Sequence, residues 1–474
     1  MLRLHNTLTR TVEPIRPLRP GAVSMYSCGP TVYRPVHIGN LRSFLLGDLI
    51  RRALDWTGVS VRQVMNITDV GHMTDEIYDR GEDKMLLAAA DEGLSPAEIA
   101  AKYEAAFHRD AGRLGILPAE AYPKASDHIG AMIDLIGRLL ERGHAYVDAG
   151  TVYYDVTTFP DYGRLSRNSL DRLRAGHRLE AVDHHKRHPA DFILWKAAGP
   201  RRVVRFDSPW GEGYPGWHIE CSAMSIAYLG ERFDIHTGGV DLAFPHHEDE
   251  IAQSEGALGH PVVSTWVHGD HLLFSGQKMA KSSGNVWTLD RLQEEGHHPL
   301  DFRYLCLTSR YRRQLRFTAE ALAAAGKARA RLAAHVADWG AVPPDGAGVA
   351  GSATAKEWDL RFRDAVLDDL DFPRALTVVW GLVGEDGVTA GERAALLADW
   401  DRVLGLGLAE AAGAAGAAQT EEDLPPGADA LLESRRAARE RRDWAESDRL
   451  RDALGELGVD VTDTRQGTNW RLRR

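Results

Sequence analysis

Cysteine is scarce in this chain: three among 474 residues, Cys28, Cys221 and Cys306, far apart in sequence. Three such residues cannot make a disulfide framework, which agrees with a reducing compartment and leaves each thiol as core packing or as a ligand. Long apolar runs are missing too. None approaches the ~20 residues that cross a bilayer, and the opening MLRLHNTLTR lacks the apolar core of a secretory signal. A cytoplasmic protein with no membrane partner is expected. Nor do basic residues predominate: 57 Lys and Arg against 68 Asp and Glu leave a net charge of -11. That balance excludes indiscriminate nucleic-acid binding, which depends on neutralising phosphates, but permits a local basic face. No internal repeat is present. A chain of this length exceeds one hydrophobic core, so two to four domains are expected.

Against that scarcity, one stretch concentrates metal-ligand chemistry. Pro215 to Glu250 supplies Cys221 and then His236, His246 and His247 among acidic residues. A helix starting near Pro245 would project His246 and Glu250 from one face, one turn apart.

Along the chain, GAVSMYSCGPTVYRPVHIGNLRSFLLGDLIRRALDWTG reads as a strand, a Gly-Pro turn and an amphipathic helix carrying Phe44, Leu45, Leu49, Ile50 and Leu54. VSVRQVMNITDV follows as a strand. Strand, helix, strand at this spacing predicts a βαβ unit and an α/β Rossmann-type parallel sheet. Residues 75–143 turn helical, AYVDAGTVYYDV reads as short strands, and the stretch up to Glu220 returns to strand and loop, delivering Cys221. Beyond Leu300 the chain becomes alanine- and arginine-rich with long helical periodicity. GLAEAAGAAGAAQTEEDLPPGADA reads as a linker, and LLESRRAARERRDWAESDRLRDALGELGV after it as charge-dense and helical.

Three constellations carry chemistry. His37-Ile38-Gly39-Asn40 falls where the first strand gives way to the first helix; a glycine, a helix N-terminus and two side-chain donors suit a nucleotide phosphate. The alternative is a capping or packing histidine. Lys278-Met279-Ala280-Lys281-Ser282-Ser283-Gly284-Asn285 places two ammonium groups where they can close over a triphosphate and stabilise developing charge, or forms a solvated surface loop. Cys221, His246 and Glu250, joined by Cys28, make a mixed sulfur, nitrogen and oxygen set suited to zinc; the alternative is two inert buried thiols and a solvated acidic helix.

Taken together, LRLHNTLTR, MYSCGPTVY, HIGN, NITDV, GWHIECSAM, FDIHTGGVDLAFPHHEDEIAQSE, KMAKSSGN and RDWAESDRLRDAL with GTNWR resemble, in order and spacing, the cysteinyl-tRNA synthetases, class I aminoacyl-tRNA synthetases with HIGH and KMSKS signatures. The resemblance implies that cysteine attacks the α-phosphate of ATP, supplied with magnesium, and that the cysteinyl adenylate then passes its cysteinyl group to the terminal ribose of cysteine tRNA. It places one zinc per subunit on Cys28, Cys221, His246 and Glu250. It places the catalytic signatures on His37, Asn40, Lys278 and Lys281, and nucleotide contacts on Gly39, His236, Gly238, Gly239, Asp241 and Lys281. Substrate contacts fall on Cys28, Thr68 and Trp217. A monomer is implied, with catalytic residues 1–110 and 205–275, a connective insertion at 111–204, and a KMSKS and stem-contact region at 276–318. A helical bundle at 319–405, a linker at 406–428 and an anticodon-recognition domain at 429–474 complete the division.

Zinc makes physical sense in such an enzyme. Cysteine and serine have nearly the same shape, which an apolar pocket separates weakly, whereas zinc binds a thiolate and lowers the thiol's pKa. Selection without an editing domain is therefore expected. The chain departs from the family at Asn40 for the second HIGH histidine, at Ala280 for the KMSKS serine, in Arg-Pro-Val before His37, and in GHMTDEIYDRGEDKM after NITDV. One rival is a cysteine ligase using an amino-sugar acceptor in mycothiol biosynthesis. It lacks the tail in which Arg435, Arg436, Arg439, Arg441 and Arg442 precede Trp444 and Arg471, Arg473 and Arg474 follow Trp470. Basic residues beside aromatics suit unpaired anticodon bases. A zinc-stabilised RNA-binding scaffold without chemistry is the non-enzymatic reading.

Overall fold

The computed structural model describes residues 1–70, 73–75, 80–170, 185–199, 202–274, 277–278, 286–340, 351–413, 425–464 and 467–472. The chain divides into two units, Met1–Arg329 with Val342–Leu406 and Ala330–Ala341 with Gly407–Arg474. No helix among the described residues is long and apolar enough to cross a membrane.

The first unit opens on an antiparallel hairpin, β1 (Arg3–Asn6) with β2 (Thr11–Pro14). The expected βαβ unit follows as β3 (Ala22–Ser27), α1 (Ile38–Trp56) and β4 (Ser60–Met65). A second hairpin, β5 (Met73–Asp75) with β6 (Arg80–Asp83), leads into α2 (Lys84–Glu92) and α3 (Pro96–Arg113). Ser95 and Glu98 cap α3 reciprocally, with Pro96 at its first position, as the sequence SPAE favours. Then come α4 (Ile129–Glu141) and an antiparallel sheet in the order β10 (Gly213–Pro215), β9 (Phe192–Ala197), β8 (Thr151–Tyr154), β7 (Ala145–Asp148).

The chain returns to the parallel sheet through α5 (Trp217–Leu229), β11 (Phe233–Gly239), α6 (His246–Leu258) and β12 (Val263–Gly269). Strand order is β12–β11–β3–β4, with every pairing parallel. The two βαβ halves therefore diverge from the boundary between β3 and β11, the topological switch point outside which open α/β sheets bind ligands. All seven residues of β11 are buried although Asp234, His236 and Thr237 are polar. Each has a partner: Asp234 accepts from Ser24 and from the Leu18 N–H, Thr237 donates to Ser27 at 2.9 Å, and His236 meets Glu250. Three partnered polar side chains in a central strand mark a site rather than plain core.

A small sheet, β14 (Gln277–Lys278), β13 (Leu272–Phe274) and β15 (Leu315–Phe317), extends from the end of β12. Between β14 and β15 lie α7 (Leu289–Glu294) and α8 (Pro299–Leu307), and after β15 come α9 (Ala319–Trp339), α10 (Ala353–Leu367), α11 (Phe372–Val383) and α12 (Ala390–Leu404). In the second unit α13 (Ala428–Glu440) and α14 (Trp444–Glu456) precede the antiparallel pair β16 (Val459–Thr464) and β17 (Gly467–Leu472). The charge-dense tail thus forms two helices: Arg442 takes a positive φ of 60° and Asp443 caps α14 by accepting from the Glu446 N–H. Of the expected linker, residues 408–413 are helical and 414–424 lie outside the described residues.

Candidate active site and metal centre

The C-terminal ends of the four parallel strands surround a cavity of about 540 Å³. One wall holds the sulfur and imidazole groups. Cys28 follows β3, Cys221 sits in the first turns of α5 rather than on the strand and loop expected, and His246 opens α6. Their ligand atoms and a Glu250 carboxylate oxygen all lie within 4.8 Å of one another. The two Sγ atoms are 4.0 Å apart, Cys28 Sγ is 3.9 Å from Glu250 Oε1, and His246 Nε2 is 3.1 Å from that oxygen. A tetrahedral zinc site with ~2.3 Å sulfur bonds has a sulfur–sulfur edge of about 3.8 Å, so the donors fit such an ion in both chemistry and spacing. The helix expected from Pro245 onward does carry His246 and Glu250 on one face.

Around these four residues the structure adds partners, of which His236, His247 and Thr68 are ones the sequence singles out and His218, His268, Asn66 and Glu220 are not. His218 Nδ1 lies 2.8 Å from His246 Nδ1, and His218 Nε2 is 3.3 Å from Asp249. On the far side His236 Nε2 meets Glu250 Oε2 at 2.9 Å under the stacked ring of Trp266. His247 Nε2 is 3.2 Å from Cys28 Sγ, while its Nδ1 contacts His268 at 2.8 Å, and His268 contacts Thr7 at 2.7 Å. Asn66 Oδ1 accepts from the Gly29 N–H at 2.9 Å, and Asn66 donates to Thr68, which donates to Glu220 at 2.8 Å.

Burial dominates the electrostatics. It lifts the Cys28 thiol well above the usual range, aided by Cys221 and Glu250. Cys221 moves down, because a hydrogen bond from Cys28 outweighs its burial. Burial alone would lower His246, yet Cys221 and Glu250 together raise it to about 10. Burial would raise Glu250, but His236 and His246 hold it at about 2. For His268 burial wins outright and lowers the ring to about 3.

The opposite wall is the start of α1. His37 caps the helix: its Nδ1 accepts from the Asn40 N–H at 3.1 Å, and Asn40 Oδ1 accepts from the His37 N–H at 3.4 Å. With Nδ1 accepting, the neutral ring carries its proton on Nε2 and is a donor there. The Ile38 N–H is used by Trp287 O, so among the first-turn amides the Gly39 N–H is the one without a partner among the described residues. A Cβ on Gly39 would press on the His37 ring at 3.0 Å, so the glycine keeps both the ring and the approach to that amide clear.

Arg42, one turn further along α1 and 7% exposed, donates to the carbonyls of Asp270 and His271 at 2.6 Å, of Arg313 at 2.6 Å and of Arg310 at 3.5 Å. These carbonyls lead into β13 and β15, so one guanidinium ties α1 to the central strand and one outer strand of the sheet in which Lys278 pairs with Leu273.

Of the residues expected at the site, Cys28, His37, Gly39, Asn40, Trp217, Cys221, Gly239, Asp241 and His246 line the cavity. His236, Gly238, Thr68 and Glu250 stand behind it. Gly238 is needed for packing, since a Cβ there would come 2.7 Å from the His247 ring. Lys278 lies on β14, where only the backbone is described, and Lys281 lies outside the described residues. In the basic segment from Ser309 to Arg316, Arg310 pairs with Asp371 and Arg312 with Asp369, so these two hold the fold together. In the second unit Arg435 is 1% exposed and belongs to the helix packing, whereas Trp444 is 56% exposed with Arg439 over its ring.

A strand-end cavity at the switch point, flanked by a His-Ile-Gly-Asn helix start, is the arrangement of a class I aminoacyl-tRNA synthetase. The family model "tRNA synthetases class I (C) catalytic domain" matches residues 14–327, and "Cysteinyl-tRNA ligase anticodon binding domain" matches residues 421–471. A solved methionyl-tRNA synthetase from Mycobacterium tuberculosis in complex with methionyl-adenylate shares the fold, with a TM-score of 0.56 over 90% of this chain and 96% of that one at 15% identity. Among curated relatives, the cysteine–tRNA ligase of Thermus thermophilus is 43% identical over 100% of both chains. That of Deinococcus radiodurans is 43% identical over 99% of this chain and 96% of its own, and cysteine–tRNA ligase 1 of Burkholderia lata is 44% identical over 98% and 96%. The chain belongs to the cysteine–tRNA ligase family.

Proposed function

We propose that the chain activates cysteine with magnesium ATP to cysteinyl adenylate and transfers the cysteinyl group to the 3′ end of cysteine tRNA, as a cytoplasmic monomer holding one zinc. The observation that carries this reading is the convergence of Cys28, Cys221 and His246 on one wall of a cavity, with Glu250 behind them, opposite the start of α1. A zinc held by those four residues would bind the substrate's thiolate and lower the thiol's pKa, a preference for sulfur that serine's hydroxyl cannot match.

The chain's own residues supply the rest. Trp217, its ring 4.4 Å from that of His246, walls the pocket beside the metal ligands. His218 and Glu250 fix the His246 ring from both sides, which sets its orientation. His37 Nε2 and the Gly39 N–H offer donors to a nucleotide phosphate, and Lys278 with Lys281 would close on the triphosphate as charge develops. Burial of the polar cluster away from bulk water strengthens each of these contacts.

The match of residues 421–471 to an anticodon-binding family supports tRNA rather than an amino sugar as acceptor. Exposed Trp444 with Arg439 suits an unpaired base and its phosphate. The domain division at 110, 204, 275, 318, 405 and 428 is retained as part of this reading. Cysteine-dependent ATP–pyrophosphate exchange, followed by charging of cysteine tRNA and of a glucosaminyl acceptor, tests it. Exchange together with tRNA charging is expected. Exchange with charging only of the amino sugar would select the rival ligase, and absence of exchange would leave the non-enzymatic scaffold.

A further inference from the structure

Arg34 lies three residues ahead of His37 and lines the same cavity as His37, Gly39 and Asn40. Its guanidinium carbon sits 5.3 Å from the centroid of the Tyr33 ring. That ring is held in place, because it packs on the Met85, Ala89 and Ile99 cluster of α2 and α3, and Lys84 Nζ approaches it at 5.8 Å. Apart from the ring, Arg34 has no hydrogen bond or ion pair among the described residues. Burial lowers its pKa from the usual arginine value, and Tyr33 is the one group that opposes the shift. Arg42 on the same helix start is different, with carbonyls accepting from its fork.

A guanidinium presents five N–H donors in a planar fork, and stacking on an aromatic face engages its plane while leaving the edges. A half-buried cation with no counterion among the described residues has given up hydration without an electrostatic return there, and an arriving anion supplies that return. The partnerless Gly39 N–H and the positive end of α1 lie on the same wall and favour the same charge.

We propose that Arg34 is a phosphate-binding residue of the cavity, engaging the polyphosphate of the nucleotide, with Tyr33 as the platform that fixes its fork. The inference rests on the cavity's being the ATP site of the function proposed above. Arg34 and Gly39 act on one anion from two directions, a side-chain fork and a main-chain amide.

The test compares the full-length chain with Arg34→Ala and Arg34→Lys by calorimetric binding of magnesium ATP, by KM values for ATP and cysteine in pyrophosphate exchange, and by metal content. Arg34→Ala is expected to weaken ATP binding and raise the KM for ATP about tenfold, the size of one charge-assisted hydrogen bond. Arg34→Lys should recover part of this loss, since it keeps the charge but not the fork. The KM for cysteine and the metal content should stay within twofold. ATP binding within twofold of the parent in both variants overturns the proposal. So does a loss confined to the KM for cysteine, which would move the arginine to the amino-acid side, and so does a parallel loss of metal, which would make its role structural. A parent chain that binds ATP in an Arg34-dependent way yet performs no cysteine-dependent exchange would sink the proposed function while sustaining the Arg34 contact.

Discussion

The two walls of the cavity do related work by different means. On the wall of Cys28, Cys221 and His246, every polar group is buried and most are held by another buried group: His246 by His218 and Glu250, Glu250 by His236, His247 by His268. On the wall of α1, Asn40 is exposed, Arg34 is half-buried, and the donors come from a helix end and the loop that leads into it. A site that discriminates sulfur from oxygen by one bond gains from groups that cannot shift. A site that neutralises a polyphosphate needs donors that the charge can reach from solvent. On the proposed function, selectivity and nucleotide binding fall on opposite walls of one cavity at the same ends of the strands.

Three experiments sharpen or break this division. The largest effect is expected for Cys221→Ala, which leaves one thiolate for the metal. Metal content should fall well below one per chain and cysteine activation by about a thousandfold, with the preference for cysteine over serine collapsing. Exchange assays with both amino acids and metal analysis check this, and undiminished cysteine activation would separate the metal from selection.

Next comes Arg42→Lys, since one ammonium cannot reach all the carbonyls that the guanidinium ties together. The turnover of exchange should drop about a hundredfold, the scale of an ~1 Å misplacement, with metal content and the KM for cysteine unmoved. A loss of metal in this variant would show that the walls are not independent.

The smallest effect concerns pH. The ring of His268 titrates at about 3 in the folded chain and near its ordinary 6.5 when unfolded. As pH falls through this window the unfolded chain takes up a proton that the folded chain refuses, so stability present above 6.5 is lost at up to ~1.4 kcal/mol per pH unit. His268→Gln should flatten this slope in urea unfolding between pH 4 and 7. An unchanged slope would place the acid sensitivity elsewhere than behind the metal wall.

Much of this was legible in the residues. The βαβ spacing predicts β3, α1 and β4, and the step from His246 to Glu250 shows its face once Pro245 is taken as a helix start. The rest follows from contacts that no local pattern encodes. His218 and His268 lie 28 and 21 residues from their partners His246 and His247, so only the folded sheet brings them together. Arg42 looks like a surface residue of an amphipathic helix until the carbonyls of β13 and β15 arrive beside it. Arg435 looks like part of a basic face, yet lies inside the packing of the second unit. The family resemblance places His236 and Gly238 at the nucleotide, but strand alternation turns both toward α6.

The strand order β12–β11–β3–β4 also has a consequence in time. A ribosome delivers β3, α1 and β4 first, and the second edge of β3 finds its partner only when Gly239 has emerged. At roughly 5–20 residues per second, the interval from Ser27 is on the order of 10–40 s. Through it the nascent half-sheet carries an open edge ending at Cys28, its thiol still waiting for Cys221 ahead of β11 and for His246 and Glu250 beyond it.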